Sequence, residues 1–199
     1  MSISAKQVKE LRDRTGIGMM ECKKALTETD GDIEKAIDLL RKRGMAKAEK
    51  KSSRDVNEGV IQAYIHPGSK IGVLIEVNCE TDFVSKNVDF KNFVNDICMH
   101  IAATNPMAVD RDGIPEVVVE KEKEIFREQG KNEGKPENIV EKIMVGRIEK
   151  FYAQNCLLEQ DFVKDSQKTV KDYLSETVMK IGENINIQRF TRYELGEEK

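Results

Sequence analysis

Three side chains could form a nucleophilic set, His66, Cys79 and His100, and their chemistry would be attack by a thiolate with an imidazole as base. That chemistry needs the base within hydrogen-bond reach of the sulfur and donors placed for an oxyanion, and spacing along the chain supplies neither. The plainer reading has Cys79 closing a buried strand and His100 at the edge of an apolar helix face. No phosphate loop, dinucleotide glycine fingerprint or metalloprotease His-Glu pair is present. Cys22, Cys79, Cys98 and Cys156 lie far apart without a Cys-x-x-Cys pair, so they read as reduced thiols rather than a zinc site or a disulfide frame. No cofactor, no metal and no bond chemistry are expected. The unusual segment is Cys79-Glu80-Thr81-Asp82-Phe83-Val84, where a strand pattern runs into acids and then an aromatic. Two readings stay open there: a helix entry with Asp82 as N-cap and Phe83 folded under the helix, or a Phe83 presented to another protein.

The elements that must position these residues follow from apolar spacing. The chain has 199 residues with 33 Lys+Arg against 36 Asp+Glu, and this balance argues against a generic polyanion binder, so no direct nucleic-acid partner is expected. No run nears the roughly 20 apolar residues of a membrane span, and the first six residues lack the apolar core of a signal peptide, so a cytoplasmic protein without a membrane partner is expected. Ser4 can cap a helix carrying Ala5, Val8 and Leu11 that ends at Thr15-Gly16; a second covers Met19 to Leu26; a third carries Ile33, Ala36, Ile37 and Leu40 and stops at Gly44. From Arg41 to Arg54 there are seven basic residues and one acid without apolar periodicity, which reads as an exposed connector. Two β-rich runs flank Pro67-Gly68-Ser69 as a hairpin, and Phe90, Phe93, Val94, Ile97, His100 and Ile101 share a helix face that stops before Asn105-Pro106. Helices start at Pro115 and Pro136 around a turn at Gly130 through Lys135, and a last helix capped by Thr169 ends at Gly182 before a returning strand. The expected fold class is α+β: a three-helix domain with its basic connector over 1–54, then a core over 55–199 with a small antiparallel three-stranded sheet packed against helices.

Thr81-Asp82-Phe83-Val84, the run from Thr15-Gly16-Ile17-Gly18-Met19-Met20 through Glu21-Cys22-Lys23-Lys24-Ala25-Leu26, Gln160-Asp161-Phe162-Val163-Lys164-Asp165 and Lys180-Ile181-Gly182-Glu183-Asn184-Ile185-Asn186-Ile187 together resemble bacterial elongation factor Ts. The match reaches both ends and the middle of the chain and is similar to the short form with a single core module. The resemblance implies an N-terminal domain of ubiquitin-associated type and a guanine nucleotide exchange factor for elongation factor Tu, the GTPase that delivers aminoacyl-tRNA. It implies contacts to that GTPase from Gly16, Ile17, Gly18, Met19, Met20 and Lys23, although methionines at helical spacing also suit a core. It implies that Thr81, Asp82, Phe83 and Val84 push in beside the GTPase magnesium site, Phe83 as the wedge and Asp82 disturbing the magnesium surroundings. Short members imply a homodimer, formed through the exposed face of the sheet. The alternative is a ubiquitin-associated-like protein-binding module without exchange activity, from which the Thr-Asp-Phe-Val segment distinguishes an exchange factor.

Overall fold

The computed structural model describes residues 3–132 and 136–197. Ser4 opens helix α1 (Ala5–Thr15) with a reciprocal cap: its hydroxyl accepts from the Gln7 N–H while the Gln7 side chain accepts from the Ser4 N–H at 3.0 Å. Gly16, at φ 68°, closes the helix in the left-handed conformation that a side chain would disfavour. Helices α2 (Met19–Glu28) and α3 (Ile33–Lys51) follow, the latter capped by the Asp32 carboxylate on the Lys35 N–H. Val8, Leu11, Cys22, Ala25, Leu26, Ala36 and Leu40 form the cluster these helices bury.

The expected stop at Gly44 is corrected, because α3 continues to Lys51 and the supposed connector is largely its last three turns. Met45 through Lys51 are strong helix formers, so nothing after Gly44 breaks the backbone pattern. Gly44 is instead a close approach: a Cβ there would stand 3.0 Å from the Met179 sulfur.

Strands β1 (Glu58–Ile65) and β2 (Ile71–Cys79) form the expected hairpin, closed by a 2.9 Å bond from the His66 N–H to the Ile71 carbonyl. Val73, Ile75, Val77 and Cys79 alternate into the interior, as a half-buried strand requires. Short helix α4 (Asp82–Lys86) then leads into α5 (Val88–Thr104). Helices α6 (Glu116–Asn132) and α7 (Glu137–Asn155) begin just after Pro115 and Pro136 as expected. Gly130, expected at the start of the turn, is still within α6, where a Cβ would come 2.8 Å from Val140. The rest of that turn, 133–135, lies outside the described residues. A two-stranded hairpin, β3 (Asp161–Phe162) with β4 (Asp165–Thr169), was not legible by periodicity because it is so short. Helix α8 (Val170–Ile181) and strand β5 (Ile185–Glu194) complete the chain, and β2 lies between β1 and β5 in the antiparallel three-stranded sheet.

By packing, the chain divides into two compact units. The first takes Met1–Ile61, Glu76–Asn95 and Asp172–Ile187. In it Met179 packs on the three-helix cluster, the Phe93 and Tyr173 rings meet at 5.2 Å, and Arg41 bonds Asp172. The second takes Gln62–Ile75, Asp96–Lys171 and Gln188–Lys199. There α6 and α7 enclose Ile114, Val119, Met144 and Ile148, and Arg111 joins Glu149 and Glu159 beneath the Tyr152 ring at 4.5 Å. Among the described residues, no helix is long and apolar enough to cross a membrane.

Candidate functional site

The segment from Glu80 to Lys86 presents the one aromatic side chain that the first unit leaves largely in solvent. Phe83 is 81% exposed, whereas the next residue, Val84, is 7% exposed and anchors α4 from below. This removes the cap-and-staple reading of the segment: Thr81 occupies the N-cap position, Asp82 is the first helical residue, and Phe83 is not folded under the helix. The reason is rotational. Neighbouring residues on a helix point about 100° apart, so a five-residue helix that buries Val84 must turn Phe83 outward.

Thr81 contributes its side chain and backbone to the far end of α8. Its N–H donates to Glu183 Oε2 at 3.1 Å, and its hydroxyl lies 3.0 and 3.1 Å from the two oxygens of the same carboxylate. Glu80 answers in the opposite direction, accepting the Asn184 N–H at 2.5 Å, while the Asn184 amide donates to the Arg54 carbonyl at 3.0 Å. Asp82 is paired with Lys86 at 2.7 Å, and this bond holds its carboxyl below the usual carboxylate range, so it is an anion at neutral pH. The Ser85 hydroxyl donates to the Asp82 carbonyl and tightens the turn.

The N-terminal candidates gather at the α1–α2 junction. Gly16 caps α1, Ile17 packs partly into the helical cluster, and Gly18 is the N-cap position of α2. Met19 is 43% and Met20 66% exposed, and Lys23 is exposed one turn on, so the methionines do not serve as core. Lys180 ties this junction to α8: its stem passes so close that a Cβ on Gly16 would stand 3.0 Å from it, and its ammonium pairs with Asp89 at 2.7 Å. Gly16 and Thr81 are thus served by Lys180 and Glu183, three residues apart in the chain. Glu80, Lys180, Glu183 and Asn184 had no assigned part on sequence grounds; one run of the resemblance contained the last three and the unusual segment contained Glu80, but only hydrogen-bond geometry shows what they do.

The nucleophilic set does not assemble. Cys79 Sγ donates to the Thr81 carbonyl at 3.2 Å, and burial, with the Glu183 carboxylate adding to it, pushes the thiol up to about 11. His66 bonds the Tyr64 hydroxyl at 3.1 Å, and His100 is fully buried against Gln160 and the Val163 N–H. An activated thiol needs the opposite, a depressed pKa beside a base.

A family model described as Elongation factor TS matches residues 4–197. The chain belongs to the elongation factor Ts family. An elongation factor Ts from Thermoanaerobacter sp. (strain X514) is 62% identical over 195 residues, covering 98% of this chain and 96% of that protein. The elongation factor Ts of Caldanaerobacter subterraneus subsp. tengcongensis is 60% identical, covering 98% of each chain. That of Geobacter metallireducens is 61% identical over 197 residues, covering 99% of this chain and 91% of the relative. Membership of the elongation factor Ts family gives the chain a role in translation elongation, and the match spans both the α1–α2 junction and the α4 turn.

Proposed function

We propose that this protein is a guanine nucleotide exchange factor for elongation factor Tu and works in the cytoplasm. The carrying observation is Phe83: a large apolar side chain held outward on a helix that Val84 anchors by burial and Thr81 ties at its N-cap to Glu183. Nucleotide exchange of this kind breaks no bond in the factor's own substrate; it stabilises a GTPase arrangement in which GDP and Mg²⁺ are poorly held. Burying Phe83 between elements of the GTPase contributes roughly 1.5–3 kcal/mol. Mg²⁺ tolerates little departure from octahedral geometry, so a small displacement of its supports by Phe83, with the Asp82 anion nearby, weakens the phosphates as well.

Coupling is reciprocal: the factor binds nucleotide-free elongation factor Tu more tightly by the same factor that it weakens GDP. A 10⁴-fold coupling needs about 5.5 kcal/mol, which exceeds what one phenyl ring supplies. Met19, Met20 and Lys23, with Gly16 to Gly18 shaping the surface they stand on, are the second contact that closes this gap. The open face of the three-stranded sheet carries a homodimer. Release of a fluorescent GDP analogue from bacterial elongation factor Tu tests the reading. Catalytic amounts of wild type accelerate release, and Phe83→Ala loses about tenfold or more. Equal acceleration by both would move the mechanism away from Phe83, and none by either would leave a binding module.

A further inference from the structure

The α4 turn is held by an exchange of carboxylates between two pairs of neighbouring residues. Glu80-Thr81 faces Glu183-Asn184, and each glutamate accepts the backbone N–H of the other pair: Glu183 takes Thr81 at 3.1 Å and Glu80 takes Asn184 at 2.5 Å. The Thr81 hydroxyl adds bonds of 3.0 and 3.1 Å to Glu183. The end of α3 closes the arrangement from a third side. Arg54 lies 3.4 Å from Glu80, the Asn184 amide donates to the Arg54 carbonyl at 3.0 Å, and the Lys51 ammonium donates to the Gly182 carbonyl.

A five-residue helix is far too short to be stable alone, so the direction in which Phe83 projects is set from outside the helix. Val84 fixes one side by burial, but an apolar contact is non-directional and permits rotation about it. A further constraint is at the N-cap, where the Thr81 side chain makes no cap bond to the helix. Glu183 supplies it from outside by gripping both polar groups of Thr81 through one carboxylate. Because Thr81 immediately precedes α4, tilting it swings Phe83.

We propose that Glu183 is a positioning residue that fixes the direction of Phe83, with the Glu80–Asn184 bond as the reciprocal half of the same clamp. This rests on the reading of Phe83 as the side chain that enters the GTPase. A wedge acts only if it stays rigid while the partner yields; a loose one lets the factor dock without displacing anything. Loss of the clamp therefore reduces the saturating rate of GDP release more than it changes the concentration needed for half of that rate.

Glu183→Ala, Glu183→Gln and wild type are compared in two measurements. In the first, GDP release from bacterial elongation factor Tu is followed over a range of factor concentrations. Glu183→Ala is expected to lower the saturating rate about tenfold, the scale of one lost hydrogen bond to a charged group, with the half-saturating concentration changed less. Glu183→Gln, which keeps an acceptor for the Thr81 N–H and a polar partner for its hydroxyl, is expected to restore most of the rate. In the second, amide hydrogen exchange of the factor alone reports the Val84 and Ser85 N–H groups, both bonded to the Thr81 carbonyl. Their protection is expected to fall in Glu183→Ala and to recover in Glu183→Gln. Unchanged protection and rate in Glu183→Ala would overturn the proposal, as would loss of rate in Glu183→Gln with protection intact, since that would make the charge itself the active feature. Should wild type fail to accelerate release, the wedge reading falls, and the hydrogen-exchange result alone upholds or overturns the clamp.

Discussion

At His100 the two ring nitrogens have opposite duties, and only the neutral ring can perform both. Nδ1 accepts the Val163 N–H at 3.2 Å, so the proton sits on Nε2 and is donated to Gln160 Oε1 at 2.9 Å. Burial holds its pKa below the ordinary 6.5, the bond to Gln160 pulling partly the other way. The unfolded chain therefore takes up the proton at a pH where the native one does not. Stability contributed here is present above about pH 6.5 and is lost as pH falls toward the folded-state pKa, at no more than about 1.4 kcal/mol per pH unit. Urea denaturation at pH 7.5 and 5.5 should show that loss, and His100→Asn should be less stable at pH 7.5 but flatter in pH; an unaltered slope in the variant would remove His100 as its source. Cys79 gives a second check: with its thiol pushed up to about 11 and buried, iodoacetamide at neutral pH should leave it unmodified until the protein is denatured, as read by intact mass. The buried fate of both residues was legible from their place in apolar patterns. The fate of Phe83 was not, since Asp-Phe after a strand suits a cap and staple as well as a displayed ring, and the choice depends on Val84 winning the buried position.

Elements were legible wherever local chemistry alone decides them. Ser4, Gly16, Pro115 and Pro136 mark ends that hold in the structure, because caps and imino acids act within a single turn. Gly44 failed as a stop since its setting is tertiary: a Cβ there would crowd the Met179 sulfur at 3.0 Å, and glycine in mid-helix looks identical to a terminator in one dimension. Gly59 shows a similar constraint in a strand. At φ 151° a Cβ there would lie 2.3 Å from the Val77 carbonyl oxygen and 2.7 Å from Asn78 Cα, atoms of backbone that cannot swing aside. Gly59→Ala should therefore distort the β1–β2 pairing beside the α4 turn and cost on the order of 1–3 kcal/mol. Gly18→Ala, with open space around its Cβ, should cost little. Chemical denaturation of the two variants side by side checks the contrast, and similar costs would mean that the close approach relaxes freely.

For the molecule as a whole, the proposed homodimer would use the open face of the β1-β2-β5 sheet. Ile65, Leu74, Tyr193 and Leu195 stand exposed there around Ala63 and Gly72, lining a shallow trough. Two such faces can stack at the roughly 10 Å spacing of packed sheets, and a two-fold pairing needs only self-complementarity of one patch. A stable interface of this kind buries upwards of about 1,000 Å² in total and depends on its centre staying dry. Leu74 is on the central strand, so in such a pairing a charge there would meet its own copy or its close neighbour across the axis. On the proposed homodimer, Leu74→Lys should leave the chain monomeric by analytical ultracentrifugation at concentrations where wild type sediments as the dimer that the proposal requires, with its melting temperature little changed because the residue is exposed in the single chain. The variant also separates assembly from exchange: if each protomer carries its own Phe83 and its own clamp, the monomer should still release GDP at close to the wild-type rate per chain. A dimer that survives Leu74→Lys would place the interface elsewhere. A monomer with no exchange activity would mean that the partner chain helps form the surface that elongation factor Tu recognises.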